Sequence, residues 1–150
     1  MGEPDAAKET QARHARYYAS FIDSRLHDLM GGRQKVELSE IDVELNNIRA
    51  AWQYAVEQKE WDAVDKALEG LHLFCDMQGR YLEGVALWEL ATRQLSAVVD
   101  AMTRPVLGRL LSRYRFMQVF SPSDPDGMET DLNISLNIAR EQNDPLETAF

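Results

Sequence analysis

The stretch from Gln78 to Gly84 constrains the fold of this chain most strongly, because it predicts a tight turn between two helices. Gly79 can adopt the positive φ that ends a helix, and Gly84 has no side chain to hold two helix backbones apart. Gly84 and Ala91 flank the large ring of Trp88, a pattern typical of closely packed helices. The preceding helix carries apolar residues three and four positions apart, at Trp61, Val64, Leu68, Leu71 and Cys75.

This turn and its flanks resemble the tetratricopeptide repeat (TPR). The turn glycine, aromatic residue, small residue, large ring and alanine of that repeat correspond here to Gly79, Tyr81, Gly84, Trp88 and Ala91. His72 stands where a small residue is usual and Ser96 where a proline is usual, so the unit is similar to a divergent TPR. The resemblance implies an all-α fold in which antiparallel helix pairs stack as a TPR-like right-handed α-solenoid.

Length and charge limit the classes of function. A chain of 150 residues favours a single domain spanning residues 1–150. The formal net charge of −9 disfavours direct binding to nucleic acid or to an anionic membrane, since both need a basic surface. The sequence contains no signal-peptide pattern and no apolar run of about 18 residues, so we expect a cytoplasmic protein without a membrane partner. Cys75, the only cysteine, is expected to be a buried thiol.

The first half of the chain is predicted to form two long helices. Apolar spacing predicts the first from Glu3 to about Met30, ended by two glycines. A linker over residues 33–38 is expected to precede Ser39, which has the chemistry of an N-cap and is followed by Asp42 at the capping-box position. The second helix then extends to residue 58, and the helix pair around Gly79 occupies residues 60–99.

The second half is predicted to contain a basic helix that begins near Pro105. Its basic face indicates either a docking surface for an acidic partner segment or a solvated face neutralised within the helix; its residues are Arg104, Arg109, Arg113 and Arg115. A loop over residues 121–127 follows. The acidic residues near it partly match a calcium loop, but helix capping by Asp126 is the simpler interpretation of the group Asp124, Asp126, Glu129 and Asp131.

A further helix is expected from Met128 to about Gln142, and Asp144 and Pro145 have the chemistry of a helix start. The helix starts near Trp61, Arg104 and Pro145 are about 42 residues apart, longer than the roughly 34 residues of a standard TPR. This spacing favours a loosely built helical solenoid.

Two further motifs carry a second resemblance. The run Glu-Leu-Asn-Asn-Ile-Arg-Ala-Ala-Trp at residues 44–52 is preceded by Arg-His-Ala-Arg-Tyr-Tyr at residues 13–18. Together they resemble the start of the helical-repeat region of bacterial signal-transduction (STAND) ATPases, which are related to the MalT, LuxR-type and AfsR-like transcriptional regulators. In that family the repeats follow an ATPase and a winged helix and act as a sensor or interaction arm. The chain contains no phosphate-binding loop, so the resemblance implies a fragment of a larger multidomain protein.

Catalytic and metal sites are not indicated. His14, His27 and His72 are far apart, so neither a zinc pair nor a catalytic triad is predicted. His14 and its tyrosine neighbours are interpreted as helix packing. We therefore expect no enzyme activity, no cofactor and no metal.

Recognition is the expected function. In a stack of helix pairs, the first helix of each pair faces a concave groove where partners bind. The repeat register places five candidate residues for binding a protein or peptide partner on that face: Lys66, Glu69, Leu73, Asp76 and Met77. Two alternatives are a small-molecule inducer held within the superhelix and self-association through helix faces such as Ile134 and Ile138.

Overall fold

The computed structural model describes residues 3–121 and 127–150. All secondary structure within these ranges is helical, which confirms the predicted all-α class. The chain divides into two compact units, Met1–Gln78 and Gly79–Phe150. Unit 1 contains α1 (Glu3–Asp23), α2 (Leu26–Leu29), α3 (Gln34–Glu57) and α4 (Trp61–Met77). Unit 2 contains α5 (Tyr81–Ser96), α6 (Arg104–Val119), α7 (Met128–Glu141) and α8 (Pro145–Ala149).

In unit 1, α1 and α3 run antiparallel. Near the start of α1, the carbonyl oxygen of Lys8 accepts a 3.1 Å hydrogen bond from the Tyr54 hydroxyl near the end of α3. Near the other end of α1, the Tyr18 hydroxyl donates a 2.7 Å hydrogen bond to Glu44 in the middle of α3. The core between the helices contains fully buried side chains that include Ile22, Leu29, Ile41, Val64 and Leu71.

The fourth helix packs beside α1 and runs in the same direction. Arg16 Nε lies 3.4 Å from Glu60 Oε2 at the start of α4, and Ile22, further along α1, contacts Gly70, further along α4. The three long helices of unit 1 are therefore arranged with α1 and α4 parallel and α3 antiparallel to α1. The short α2 lies between α1 and α3 in the chain.

Two predicted boundaries in unit 1 are wrong. The first helix does not continue to residue 30, because α1 ends at Asp23 and a turn separates it from α2. Arg25 fills this break: its Nη1 donates a 3.0 Å hydrogen bond to the carbonyl oxygen of Phe21, and its Cζ lies 3.5 Å from the centre of the Phe21 ring. A polar side chain that satisfies the end of a helix gives no signal in the apolar spacing.

The predicted linker over residues 33–38 and the predicted N-cap at Ser39 are also wrong. The third helix already begins at Gln34, so Ser39 lies inside it. Glu37 is buried at 4% exposure, and its Oε2 lies 3.2 Å from Arg25 Nε. Because Arg25 belongs to another part of the chain, local sequence rules do not predict the burial of this carboxylate.

In unit 2, α6 lies between α5 and α7 and is antiparallel to both. Tyr81 at the start of α5 stacks on Phe120 just beyond the end of α6, with ring centres 4.8 Å apart. At the start of α6, Gly108 lies against Ile138 near the end of α7. The hydroxyl of Ser135 donates a 2.8 Å hydrogen bond to the carbonyl oxygen of Gly108, which satisfies a buried polar group at this crossing.

The short α8 runs alongside α6 in the same direction. Arg113 of α6 pairs with Glu147, and three residues later the rings of Phe116 and Phe150 lie 5.9 Å apart. Asp144 caps α8, since its Oδ1 accepts hydrogen bonds of 3.1 Å from the backbone N–H groups of Leu146 and Glu147. This start of α8 confirms the prediction made from the Asp-Pro pair.

Several other predicted boundaries are confirmed. Gly79 ends the turn after α4 with φ of 64°, and Pro105 lies in the first turn of α6. The sequence predicted Gly84 to pack closely on the helix before the turn; the close contact that the structure gives Gly84 is with Met117 of α6. Residues 122–126 lie outside the described residues, and with them the prediction of a calcium loop or a cap at Asp124 and Asp126. Cys75 is buried, as expected, and none of the described helices is long and apolar enough to cross a membrane.

Candidate partner-binding face of helix α4

The candidate site lies on α4, an amphipathic helix whose apolar side is fixed in the core of unit 1. Val64, Leu71, Phe74 and Cys75 are fully buried, so the rotation of the helix about its axis is determined by their spacing. His72 is also buried, at 3% exposure. The rotation of α4 thereby places the residues between these buried positions on the other side of the helix.

The five residues predicted from the sequence lie on that opposite side. Lys66 and Met77 are exposed, whereas Glu69, Leu73 and Asp76 are half-buried. Their spacing of three and four residues aligns them along one face of the helix. We call this surface the α4 face; its residues are Asp62, Asp65, Lys66, Glu69, Leu73, Asp76 and Met77.

Asp62 and Asp65 extend the predicted set toward the start of α4. The same spacing of three and four residues includes them, so this signal in the sequence could have identified both. The α4 face carries four carboxylates and one ammonium group. Acidic groups near a helix N-terminus are favoured by its dipole, so Asp62 stabilises α4 as well as adding charge to this face.

Apolar contact area lies at the other end of the α4 face. Leu73 and Met77 are separated by one helical turn, and Met77 is 37% exposed. The sulfur of Met77 lies 3.5 Å from Nε2 of Gln34. A flexible, polarisable methionine beside a leucine suits an apolar anchor of variable shape. Chemically, the face can bind a segment that combines basic side chains with one apolar anchor.

Two interpretations of the basic face of α6 were predicted: a docking surface for an acidic partner segment, or a solvated face neutralised within the helix. Neither describes Arg113 and Arg115. Arg113 and Arg115 are buried, and each forms an ion pair with a carboxylate of the following helices. The third pair, between Arg104 and Glu141, is more exposed. The acidic segments that neutralise this face are thus α7 and α8 of the same chain, with the pairs Arg104–Glu141, Arg113–Glu147 and Arg115–Asp131.

Part of the surface that the sequence suggested for self-association, Ile134 and Ile138, is buried. Ile138 is 2% exposed and packs on Gly108, so it cannot contact a second copy while α6 and α7 are paired. Ile134 remains at the surface, at 38% exposure. The prediction that placed both isoleucines on one free face is wrong for Ile138, because α7 turns that side toward α6.

A small, partly open cleft occurs in each unit. The cleft in unit 1 is lined by six alanines together with Tyr18, Ile48 and Trp52, and its volume is about 10 Å³. The cleft between α6, α7 and α8 has a volume of about 10 Å³ as well. Each accommodates about one water molecule, which leaves no room for an inducer in either cleft.

A metal site would require several ligating side chains close together. Within residues 3–121 and 127–150, no group of three or more histidine, cysteine, aspartate or glutamate side chains is arranged to hold a metal ion.

The chain was compared with known proteins: no protein-family model, no curated protein and no solved structure matches it.

Proposed function

We propose that this chain is a non-catalytic protein-interaction module that binds a basic segment of a protein partner along the α4 face. The observation that carries the proposal is the composition of that face, with four carboxylates, one lysine and an apolar end at Leu73 and Met77. A basic amphipathic helix or an extended basic peptide complements both features. The core residues of α4 hold the face in position before the partner arrives, which lowers the entropic cost of binding.

The order of helices supports a TPR-like right-handed α-solenoid. Within unit 1, α3 is antiparallel to α1, and α4 returns parallel to α1. Within unit 2, α7 is antiparallel to α6, and α8 returns parallel to α6. A repeated order of this kind is what stacked helix pairs require, since each pair packs against the next one along the chain. Within unit 1, α1 is then the first helix of the pair α1–α3, and within unit 2, α6 is the first helix of the pair α6–α7.

A place in a larger signalling protein is part of the same proposal. The two motifs that resemble the repeat region of STAND ATPases contact each other, since the Tyr18 hydroxyl bonds to Glu44 and Asn47 Nδ2 bonds to the same carboxylate at 2.8 Å. These motifs therefore act together as one packing unit between α1 and α3. We infer that the chain serves as the sensor or interaction arm of a bacterial signalling ATPase or transcriptional regulator.

A selection experiment with displayed peptides tests the binding proposal, because peptides can stand in for the partner segment. A displayed library of helical peptides is selected against the whole chain, and the selected peptides are measured by fluorescence anisotropy. We expect them to be rich in lysine and arginine and to carry a large apolar residue. Their affinity should fall as salt is raised, because exposed charge pairs are screened.

Charge reversal then identifies the surface. The double variant Glu69→Lys/Asp76→Lys should lose most of the affinity for the selected peptides while its circular dichroism shows that it remains folded. The matched control is Asp42→Lys/Glu57→Lys, which makes the same change in net charge on exposed positions of α3. Equal loss of affinity in both double variants, or no loss in the first, contradicts the proposal for α4.

A further inference from the structure

An open groove lies between α1 and α3 on the surface of unit 1. We call it the α1–α3 groove; its volume is about 310 Å³, and it is lined by Phe21 of α1 and by Ser39, Glu40, Val43 and Glu44 of α3. Val43 is 79% exposed, although its side chain is apolar. Arginine and lysine combine an alkyl stem with a charged head, so an exposed apolar side chain beside carboxylates offers contacts to both of their parts.

One arginine of the chain already lies at this groove. The Cζ atom of Arg25 lies 3.5 Å from the centre of the Phe21 ring, and its Nη2 lies 2.6 Å from Oε2 of Glu40. Its guanidinium therefore contacts an aromatic ring of α1 and a carboxylate of α3 at the same time. A guanidinium is stabilised by this combination, because the ring face attracts a cation and the carboxylate accepts charge-assisted hydrogen bonds.

The combination of a ring and a carboxylate recurs one helical turn away. Because α1 and α3 are antiparallel, one turn back along α1 from Phe21 and one turn onward along α3 from Glu40 lead to the same level, at Tyr17 and Glu44. The Tyr17 ring is 61% exposed, and its centre lies 6.4 Å from that of the Phe21 ring. The groove therefore carries two successive pairs of an aromatic ring and a carboxylate.

The carboxylate of the second pair is held by neutral groups. Oε2 of Glu44 accepts a hydrogen bond of 2.7 Å from the Tyr18 hydroxyl and one of 2.8 Å from Asn47 Nδ2. These bonds, that of Tyr18 first, lower the pKa of Glu44 and keep it ionised at neutral pH. Neither donor carries a positive charge, and among residues 3–121 and 127–150 Glu44 forms no ion pair. Glu40, in contrast, is paired with Arg25.

We propose that the α1–α3 groove binds an arginine side chain carried by an exposed segment of a protein partner. The guanidinium lies against the Tyr17 ring and pairs with Glu44, and its alkyl stem contacts Val43. We assign the arginine to a protein segment because the groove is open, whereas sites for small ligands enclose most of the ligand surface. The proposal is independent of the α4 face, since it concerns two other helices and an aromatic site.

NMR titration of the whole isotope-labelled chain tests the proposal. The probe is the blocked pentapeptide acetyl-Gly-Ala-Arg-Ala-Gly-amide, and we expect saturable shifts of the side-chain signals of Tyr17, Val43 and Glu44. A peptide in which citrulline replaces arginine has nearly the same shape but no charge. It should bind at least about tenfold more weakly, because the charge-assisted hydrogen bond is lost.

Variants of the chain identify the two groups that hold the guanidinium. Glu44→Gln removes the charge but keeps an oxygen that accepts the bonds from Tyr18 and Asn47, and it should bind the arginine peptide about tenfold more weakly. The matched control is Glu57→Gln, which makes the same change in charge at an exposed position of α3 and should bind as the wild type does. Tyr17→Leu should also weaken binding, whereas Tyr17→Phe keeps the ring and should not.

Two further probes test the identity of the ligand. The lysine analogue of the pentapeptide should bind more weakly, because an ammonium group lacks the planar surface that stacks on a ring. Acetyl-arginine methylamide should also bind more weakly, because it lacks the flanking backbone that can reach Ser39. Equal affinity of this small compound and the pentapeptide would assign the groove to a free guanidinium compound and overturn the proposal of a protein segment.

Circular dichroism melting shows whether each variant is folded, and Tyr17→Leu, at an exposed position, replaces Glu44→Gln if the latter is not. Equal affinity of the wild type for the arginine and citrulline peptides overturns the proposal. So does the absence of saturable shifts, or full affinity of a folded Glu44→Gln variant. The double variant Glu69→Lys/Asp76→Lys should bind the arginine peptide as the wild type does, which separates this groove from the α4 face.

Discussion

Ile22 of α1 and Gly70 of α4 approach so closely that no β-carbon fits between them. A Cβ built on Gly70 would lie 2.5 Å from Cγ2 of Ile22 and 3.0 Å from its carbonyl oxygen. Ile22 is fully buried, and the second contact involves backbone, so neither group can move away easily. This contact sets the distance between the two parallel helices of unit 1, and thereby fixes the orientation of the α4 face.

Replacing Gly70 with alanine should therefore destabilise the chain. Alanine favours a helix by about 1 kcal/mol over glycine, but overpacking a rigid core costs about 1–3 kcal/mol, and we expect a net loss in the free energy of unfolding. Urea unfolding followed by circular dichroism measures it. Gly32→Ala is the control: no atom lies within 4 Å of its added Cβ, so its effect should stay within about 0.5 kcal/mol. A Gly70→Ala variant as stable as the wild type would show that α1 and α4 can separate freely.

Gly84→Ala should cost less than Gly70→Ala. The added Cβ would meet Sδ of Met117 at 2.9 Å and its Cγ at 3.0 Å, and all close contacts are with this one flexible side chain. Methionine can change its rotamer to make room, so the gain in helix propensity of about 1 kcal/mol should offset most of the strain. The same urea experiment compares the two alanine variants. A larger loss for Gly84→Ala would mean that Met117 is held as firmly as the backbone of Ile22.

The ion pairs between α6 and α7 should differ in their contribution to stability. Arg115 has a side-chain exposure of 10% and lies 2.6 Å from Asp131, so Asp131→Ala leaves a buried charge without its partner. Loss of a partner from a buried pair costs about 3–5 kcal/mol, and the lower end applies because Asp131 is itself 24% exposed. Thermal and urea unfolding measure the effect.

Glu141→Ala supplies the matched control, because Glu141 joins the same two helices through Arg104 but has a side-chain exposure of 53%. An exposed pair contributes little, so this variant should unfold close to the wild type. Similar losses in the two variants would contradict the view that burial of the arginine makes the difference.

The Tyr18–Glu44 pair should produce a pH dependence in unit 1. The hydrogen bond from the Tyr18 hydroxyl, followed by that from Asn47, lowers the pKa of Glu44, and the bond to Glu44 is the main cause that raises the pKa of Tyr18. A carboxyl group whose pKa is lower in the folded state stabilises the fold at neutral pH. This contribution disappears as the pH falls below about 4, through the lowered pKa.

Tyr18→Phe should raise the pKa of Glu44 toward its ordinary value and weaken the loss of stability in acid. Carbon-detected NMR titration of the Glu44 carboxyl group measures the pKa directly. Tyr17→Phe is the control, since Tyr17 is 61% exposed and neighbours Tyr18 on the same helix. A Glu44 pKa that is unchanged in Tyr18→Phe would assign the shift to Asn47 instead.

Local chemistry predicted much of the fold and most of the candidate site. The starts of α4, α6 and α8 follow from apolar spacing, a first-turn proline and an aspartate cap, all of which act over a few residues. The five residues of the predicted site share the outer side of α4 because the buried side of that helix is specified by the same spacing. The break after α1 was missed, since it depends on a contact of Arg25 with a preceding backbone carbonyl.

By itself, the sequence determined that the chain is helical, where most helices begin, and which side of α4 faces outward, because capping, turn geometry and amphipathic spacing are local. Only the tertiary structure decided the partners of the charged side chains and of the small residues. From the sequence, the arginines of α6 were compatible with a docking surface or with a solvated face. In the folded chain three of them form ion pairs with Asp131, Glu141 and Glu147. Charge pairing and close helix contact depend on distances between residues that are remote in the chain, and those distances exist only after the helices have packed.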